Sequence, residues 1–143
     1  MDAQIGELQQ RLQTAHTRFV QVAEQLDPVR HIQPGVCGAW SPKDVAAHLV
    51  GWDASLKQLI VDIENFEPPY DVHAFNQRSV EARADRTWAV VMAELTTNFD
   101  ELSEALAIVA PEMKIYARVT GWLAGRIADY ELHTEQLESW LAQ

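Results

Sequence analysis

The chain has 143 residues, of which 48% are hydrophobic and 22% charged, proportions typical of one globular domain, here taken as residues 1–143. A formal net charge of −10 disfavours binding to nucleic acid or to an anionic membrane surface. No apolar run approaches the roughly 20 residues that span a bilayer, and the one cysteine, Cys37, excludes an internal disulfide. With the polar N-terminus "MDAQIGELQQRLQ", unlike a signal peptide, these features predict a cytoplasmic protein.

The first predicted element is a helix whose apolar residues recur at alternating steps of three and four. These residues are Ile5, Leu8, Leu12, Ala15, Phe19, Val22 and Leu26. We expect Pro28 to end this helix, because the residue before a proline is disfavoured in the α region. The Pro- and Gly-rich stretch "DPVRHIQPGVCGAW" that follows predicts a loop.

The second helix has a recognisable start in "SPKD". The Ser41 side chain can accept a hydrogen bond from a free backbone amide of the first turn, and Pro42 suits the first helical position. Asp44, three residues after Ser41, makes the pattern close to a capping box. Its predicted buried stripe is Val45, Leu49, Trp52, Leu56, Leu59 or Ile60, and Ile63. The segment "FEPPYD" then breaks the chain.

Two helical stretches are predicted between about His73 and Ile108, with the second starting near Asp85 or Thr87. The apolar residues that define them are Phe75, Val80, Trp88, Val91, Leu95, Phe99, Leu102 and Leu106. The connector "APEMKIYARVTG" has mixed signals and receives no assignment. A last helix is predicted from about Thr120 to Leu141, with Leu123, Ile127, Tyr130, Leu137 and Leu141 on its inner face.

No segment alternates as a β-strand does, and there are no internal repeats. Each apolar stripe needs a partner, and four stripes closing on one core predict an all-α four-helix bundle with its third helix broken near residue 85. Because the connection between the second and third long helices is long, the bundle need not be strictly up-down-up-down.

Candidate metal ligands come from two of these helices. His48, in "DVAAHLVGWD", lies on the apolar face of its helix and should point toward the bundle interior. Asp129 and His133 are four residues apart, so they project from one face of the last helix. Imidazole nitrogens with a carboxylate oxygen suit a first-row transition metal, and helix bundles build such sites from facing helices.

Simpler interpretations of the same residues exist. A lone histidine such as His48 on an apolar face is usually a core residue with one hydrogen bond. Asp129 can pair with Arg126, three residues earlier, or with a protonated His133. Cys37 can be a nucleophile, but "PGVCGAW" offers no adjacent base or cation and is typical of a plain loop thiol.

Three segments resemble a known family. "GAWSPKDVAAHLVGWD" resembles the second-helix signature of the DinB-like (YfiT-like) four-helix bundle superfamily, in which a Trp-Ser-x-x-Asp start leads to a metal-ligand histidine, then a glycine and a tryptophan. "ADYELHTEQLESWL" resembles the family's last helix, where two histidines four apart precede a tryptophan. "VHAFNQRSVEARADRTWAVVMAEL" is similar to the third-helix region of the ClbS/DfsB branch, with its Phe-Asn pair. The resemblance spans nearly the whole chain.

The resemblance implies a metal site. The family's first ligand falls on His48 and its last on His133, while Asp129 occupies the position of the family's middle histidine. Such a two-histidine, one-carboxylate set suits zinc, nickel, iron or manganese. It is also consistent with a lost metal and an Asp129 held by Arg126.

The resemblance further implies a function. The superfamily consists mostly of metal-dependent hydrolases, with thiol-dependent S-transferases and isomerases among its relatives, and the ClbS-like branch disarms a reactive genotoxin. We therefore expect a metal-dependent enzyme acting on a small molecule, hydrolase-like or detoxifying. The alternatives are an S-transferase that uses a low-molecular-weight thiol and a non-catalytic dimeric bundle with a degenerate site. A homodimer is the family-level expectation.

The other candidate residues are less specific. Tyr70 and His73, after the second helix, are candidates to line the mouth of the site, and Trp52 to form part of its wall. His16 and His31 show no constellation, and we expect both to face solvent or lie in loops.

Overall fold

The computed structural model covers residues 1–143 and contains five α-helices, two short 3-10 helices and no β-strand. The helices are α1 (Ala3–Ala23), α2 (Pro42–Val61), α3 (Val72–Glu81), α4 (Trp88–Leu106) and α5 (Tyr116–Leu141), and the 3-10 helices are Pro28–Arg30 and Ile63–Asn65. The predicted all-α bundle is confirmed, with α1, α2, α4 and α5 as its four long helices. The predicted break in the third helix is the turn between α3 and α4.

Side-chain caps set the starts of four helices. The side chains of Asp2, Asp71 and Thr87 accept from backbone amides in the first turns of α1, α3 and α4. At α2, Ser41 and Asp44 form a complete capping box, as the sequence predicts. The predicted start of α2 at Ser41 and Pro42 agrees with the structure, and α4 begins at Trp88, one residue after Thr87 and three after Asp85, the two starts that the sequence offered.

Two helix boundaries and one buried position differ from the prediction. α1 ends at Ala23 instead of reaching Pro28. The backbone amides of Gln25 and Leu26 donate to carbonyls three residues earlier, and not four as in an α-helix. α5 begins at Tyr116, a turn before the expected Thr120, where the Tyr116 hydroxyl donates to Asp2 at 2.6 Å. Ile63 is half-exposed instead of buried, because α2 ends before it.

The helix directions follow from pairs of contacts. Asp2 contacts Tyr116 and Arg18 contacts Glu138, so α1 and α5 run parallel. Lys43 donates to the carbonyl of Arg86, just before α4, and Lys57 pairs with Glu101 within it, so α2 and α4 also run parallel.

The two parallel pairs run in opposite directions. His48 of α2 approaches Asp129, whereas Asp53, further along α2, pairs with Arg126, which lies earlier on α5. The bundle is therefore up-down-down-up in the order α1, α2, α4, α5. The chain must return along α2 before α4 can begin, and α3 lies on this return path.

Close contact between α2 and α3 depends on a glycine. A Cβ atom on Gly51 would lie only 2.7 Å from the Ser79 Cβ, so any larger residue would push the two helices apart. Ser79 itself is buried, which shows how closely α3 packs on α2. This contact positions Asn76, one turn before Ser79, near His48.

The core is a single cluster of 29 buried hydrophobic residues to which all four long helices contribute. Tyr130 and Phe19 are its largest fully buried side chains. No helix is long and apolar enough to serve as a membrane span.

His16 is in the core, and its predicted solvent-facing position is wrong. It lies one turn after Leu12 on the inner face of α1, stacks on Phe99 at 4.1 Å between ring centroids, and approaches the Tyr130 hydroxyl at 3.1 Å. Burial lowers the pKa of His16, although the negative charges of Asp53 and Asp100 oppose the shift. His31 does lie in a loop, stacked on Trp88.

We predict that Gly51→Ala lowers the free energy of unfolding by about 1–3 kcal/mol, the usual range for overpacking. The added methyl group would meet the Ser79 Cβ, which cannot rotate away. Urea unfolding followed by circular dichroism would measure the change. The control is Gly6→Ala on α1, where the new Cβ meets only the Met1 sulfur at 3.8 Å. Equal unfolding midpoints for the two variants would contradict the close-packing account.

Candidate metal centre

The structure brings the three predicted ligands together between α2 and α5. His48 Nε2 lies 3.1 and 3.0 Å from the two carboxylate oxygens of Asp129, and His133 Nε2 lies 3.0 Å from Asp129 Oδ1. One donor atom from each residue can be chosen so that all three lie within 4.8 Å of one another. Both histidines are about 5% exposed, whereas the Asp129 side chain is partly exposed.

The tautomer of His48 is fixed by its neighbours. Its Nδ1 lies 3.0 Å from Asn76 Oδ1, and the same oxygen accepts from Trp52 Nε1 at 2.7 Å. Because an indole nitrogen can only donate, the Asn76 oxygen must face both groups, and His48 Nδ1 must carry a proton. A neutral His48 therefore presents an unprotonated Nε2 to Asp129.

His133 has a matching arrangement on α5. Its Nδ1 lies 2.8 Å from Gln136 Oε1, one helical turn further along, so its Nε2 is also directed at Asp129. An imidazole that donates through one nitrogen to a fixed acceptor is the usual support for a metal-ligating histidine. The two rings lie nearly perpendicular, 78° apart, with centroids separated by 5.0 Å.

The donor set fits a divalent transition metal. At about 3 Å from the carboxylate, each Nε2 needs a positive charge between the two groups: either its own proton, which it donates to Asp129, or a metal ion, to which a neutral ring offers its Nε2 lone pair. Nitrogen and carboxylate donors are the ligands that zinc, nickel, iron and manganese take in proteins. The three residues could therefore hold such an ion, and their role as ligands remains a prediction.

Arg126 links this cluster to the core. Its Nη1 donates to Asp129 Oδ2 at 2.5 Å, its Nε donates to Asp53 Oδ1 at 2.8 Å, and its Nη2 reaches the Leu49 carbonyl at 3.4 Å. The Arg126–Asp129 pair foreseen as an alternative to a metal is thus present. It occupies one carboxylate oxygen and leaves Oδ1 facing both histidines, so the two interpretations are compatible.

Asp129 and Arg126 each stabilise the charged form of the other. Burial alone would raise the pKa of Asp129, but contacts with His133 and His48 and the charge of Arg126 hold it well below the usual range. Burial works against the charge of Arg126, but Asp53 and Asp129 outweigh it and raise the Arg126 pKa. Asp129 is therefore a carboxylate throughout the neutral range.

Asp53 is fully buried and has two partners. Besides Arg126, its other oxygen accepts from the Tyr130 hydroxyl at 2.5 Å. Burial and then the charge of Asp53 raise the pKa of Tyr130 well above its ordinary value, so this hydroxyl stays a donor. The chain from Asp53 through Arg126 to Asp129 holds the carboxylate in place from the core side.

A cavity of about 640 Å³ opens beside the cluster. It is lined by Cys37, Trp40, His48, Trp52, Val72, Asn76, Gly121, Trp122, Gly125, Arg126, Ala128, Asp129, Leu132 and His133. Trp52, a candidate for the wall of the site, is among these lining residues. Tyr70 and His73 are not among the lining residues: Tyr70 is 91% exposed, and His73 is exposed at the start of α3, where Val72 and Asn76 do line the cavity.

Sequence reasoning missed Asp53, Asn76 and Gln136. Asp53 had a readable signal, because it lies four residues after Leu49 and three before Leu56, within the apolar stripe of α2. Asn76 entered only as part of a resemblance, and Gln136 gave no signal beyond its i, i+3 distance from His133.

Comparison with known proteins places the chain in a family context. The family model described as "Mycothiol maleylpyruvate isomerase N-terminal domain" matches residues 12–138. The crystal structure of an uncharacterised protein from Escherichia coli UTI89 superposes with a TM-score of 0.80 at 14% sequence identity, over 95% of this chain and 91% of that chain. At that identity the likeness shows the fold alone. No functionally curated protein matches the sequence.

We predict that Asp53→Asn lowers the free energy of unfolding by about 3–5 kcal/mol, the usual effect of removing one partner of a buried ion pair. Chemical denaturation at neutral pH would measure the loss. The control is Glu138→Gln, the same carboxylate-to-amide change in the exposed Arg18–Glu138 pair, whose N–O distance is 2.6 Å. That change should alter stability by less than about 1 kcal/mol. If the two variants were equally stable, Asp53 would not anchor Arg126 as described.

Proposed function

This chain belongs to the mycothiol maleylpyruvate isomerase N-terminal domain family, a DinB/YfiT-like group of helical proteins, and we propose that it is a metal-dependent enzyme acting on a small molecule. His48, Asp129 and His133 are the proposed ligands of a divalent transition metal. The superfamily expected from the sequence is thereby confirmed, while the ClbS/DfsB branch remains a prediction.

The observation that carries the proposal is the convergence of two imidazole Nε2 atoms on one carboxylate. The Nδ1 atoms of His48 and His133 are both engaged by side-chain amide oxygens, which leaves both Nε2 atoms available. Asp129 stands where the resembled family carries a histidine, and it keeps one oxygen directed at both rings. An adjoining cavity of about 640 Å³ gives a small molecule access to the cluster.

A divalent ion held there would supply Lewis-acid chemistry, polarising a substrate oxygen and favouring ionisation of water or a thiol at neutral pH. The protein's own residues supply the arrangement. Asn76 and Gln136 orient the two imidazoles, and Arg126 fixes Asp129 from the core side. Trp40, Trp52 and Trp122 line the cavity and reduce the water beside the cluster.

Catalysis by a separate acid or base finds no support in the cavity. Besides the three proposed ligands, the only titratable side chains lining it are Arg126, fully engaged in ion pairs, and Cys37. The proposed chemistry therefore depends on the His48–Asp129–His133 cluster itself.

The family description favours a second candidate, an S-transferase or isomerase that uses a low-molecular-weight thiol. That description names mycothiol and an isomerase, and this is a statement about the family as a whole. In this candidate a thiol takes the place of water as the nucleophile. The third alternative, a non-catalytic dimer, predicts that the cluster has no affinity for metal.

We predict that the purified protein, stripped with a chelator and without a histidine tag, binds about one equivalent of Zn²⁺ or Ni²⁺ per chain. His48→Ala and His133→Ala should each weaken binding at least tenfold, because each removes one ligand of three. Isothermal titration calorimetry would measure affinity and stoichiometry. His73→Ala is the matched control, since His73 is exposed and outside the cluster. Absence of binding to the wild-type protein would contradict the proposal and favour the non-catalytic dimer.

A second measurement, on the metal-loaded protein, distinguishes water from a low-molecular-weight thiol as the nucleophile. If a thiol is used, one member of a panel containing mycothiol, bacillithiol, glutathione and cysteine should raise the unfolding temperature at millimolar concentration. The rise should be absent in His133→Ala, because the thiolate would then lack the ion. Equal small shifts with every thiol, present also in His133→Ala, would favour water.

A further inference from the structure

We propose that the cavity beside the cluster binds an uncharged, apolar group of about the size of a two-ring aromatic, so that this is the part of the substrate that lies away from the proposed ligands. This inference rests on the proposed function, because it describes the substrate of the same site.

The walls are aromatic and have few free polar atoms. Trp52 and Trp122 meet edge to face at 5.9 Å between ring centroids, and the Trp40 ring, also in the lining, lies 5.1 Å from the His48 ring. The indole N–H of Trp52 is already bonded to Asn76, so this side chain offers only its ring to a ligand. Rings arranged in this way favour edge-to-face or offset contacts with another aromatic group.

The floor is built from glycines of α5. Gly121 and Gly125 are one helical turn apart, both are exposed to the cavity, and a Cβ atom on either would meet nothing within 4 Å. Ala128 extends this floor toward Asp129. Glycine in the middle of a helix is unfavourable, and no packing contact requires it at either position. The open space above α5 is therefore a feature of the cavity, and side chains there would fill it.

The cavity has no free cationic side chain to pair with an anionic group on the part of the substrate that lies away from the proposed ligands. Arg126 is the only basic side chain other than histidine in the lining, and its Nε and Nη1 donate to Asp53 and Asp129 while its Nη2 reaches the Leu49 carbonyl. No lysine lines the cavity. An anionic group away from the ligands would lose its hydration without gaining a partner, which is strongly unfavourable.

Size is consistent with the same conclusion. A cavity of about 640 Å³ lies within the range of small-molecule sites and holds a two-ring group beside the cluster. Val72 of α3 and Leu132 of α5 add apolar surface at its rim, where both side chains are about half-exposed.

The test uses two probes that share one ring system, 2-naphthylmethanol and 2-naphthalenesulfonate, titrated into metal-free protein at pH 8. We expect saturable quenching of tryptophan fluorescence by the alcohol and at least tenfold weaker binding of the sulfonate. Gly125→Leu should weaken binding of the alcohol at least tenfold, because its side chain fills the floor. Gly6→Leu on α1, outside the cavity, is the matched control and should bind as the wild-type protein does.

A second readout keeps the test independent of how Gly125→Leu folds. Cys37 is the sole thiol and lines the cavity, so the alcohol should slow its alkylation by iodoacetamide in the wild-type protein by the fraction of sites occupied. Equal affinity for the two probes, or saturable binding that leaves Cys37 alkylation unchanged, would overturn the inference. Metal titration of the same samples separates the two proposals: metal binding without probe binding contradicts this inference alone, and probe binding without metal binding contradicts the proposed function.

Discussion

Arg126 is the side chain on which the arrangement of the site depends. It is buried between α2 and α5 and donates in two directions, to Asp53 on the core side and to Asp129 on the cavity side. A buried guanidinium needs both carboxylates, and each carboxylate is in turn held by it. Asp129 therefore has a fixed position and charge before any ligand is considered.

The directions of the helices bring both histidines to the carboxylate that Arg126 holds. Because α2 runs antiparallel to α5, His48 comes opposite Asp129 and His133 at the level where Arg126 crosses between the helices. Because α2 and α4 run parallel, the chain must return along α2, and α3 on that return path brings Asn76 to His48. The return requires Gly51, since no side chain fits between the helices there. The position of Asn76 beside His48 is thus a consequence of the order and direction of the helices.

Local features were readable from the sequence, and long-range ones were not. The capping box of Ser41 and the Thr87 cap lie within a few residues of the helices they start, so the starts of α2 and α4 could be predicted. The one-turn spacing of Asp129 and His133 is local as well, whereas the approach of His48 required the resemblance to a known family. The burial of His16 depends on Phe99 and Tyr130 from two other helices, and the early start of α5 depends on a contact with Asp2. None of these three partners can be identified from the spacing of residues along one helix.

The central claim is that His48 and His133 present unprotonated Nε2 atoms to a metal ion beside Asp129. Nitrogen-15 NMR of the imidazole rings, in metal-free protein at pH 8 and after one equivalent of Zn²⁺, tests it most directly. The account predicts that both rings carry their only proton on Nδ1 once Zn²⁺ is bound, and that their Nε2 resonances shift on titration, with saturation at one equivalent. Nε2 atoms that stay protonated after Zn²⁺ is added, or Nε2 resonances unchanged by Zn²⁺, would contradict it.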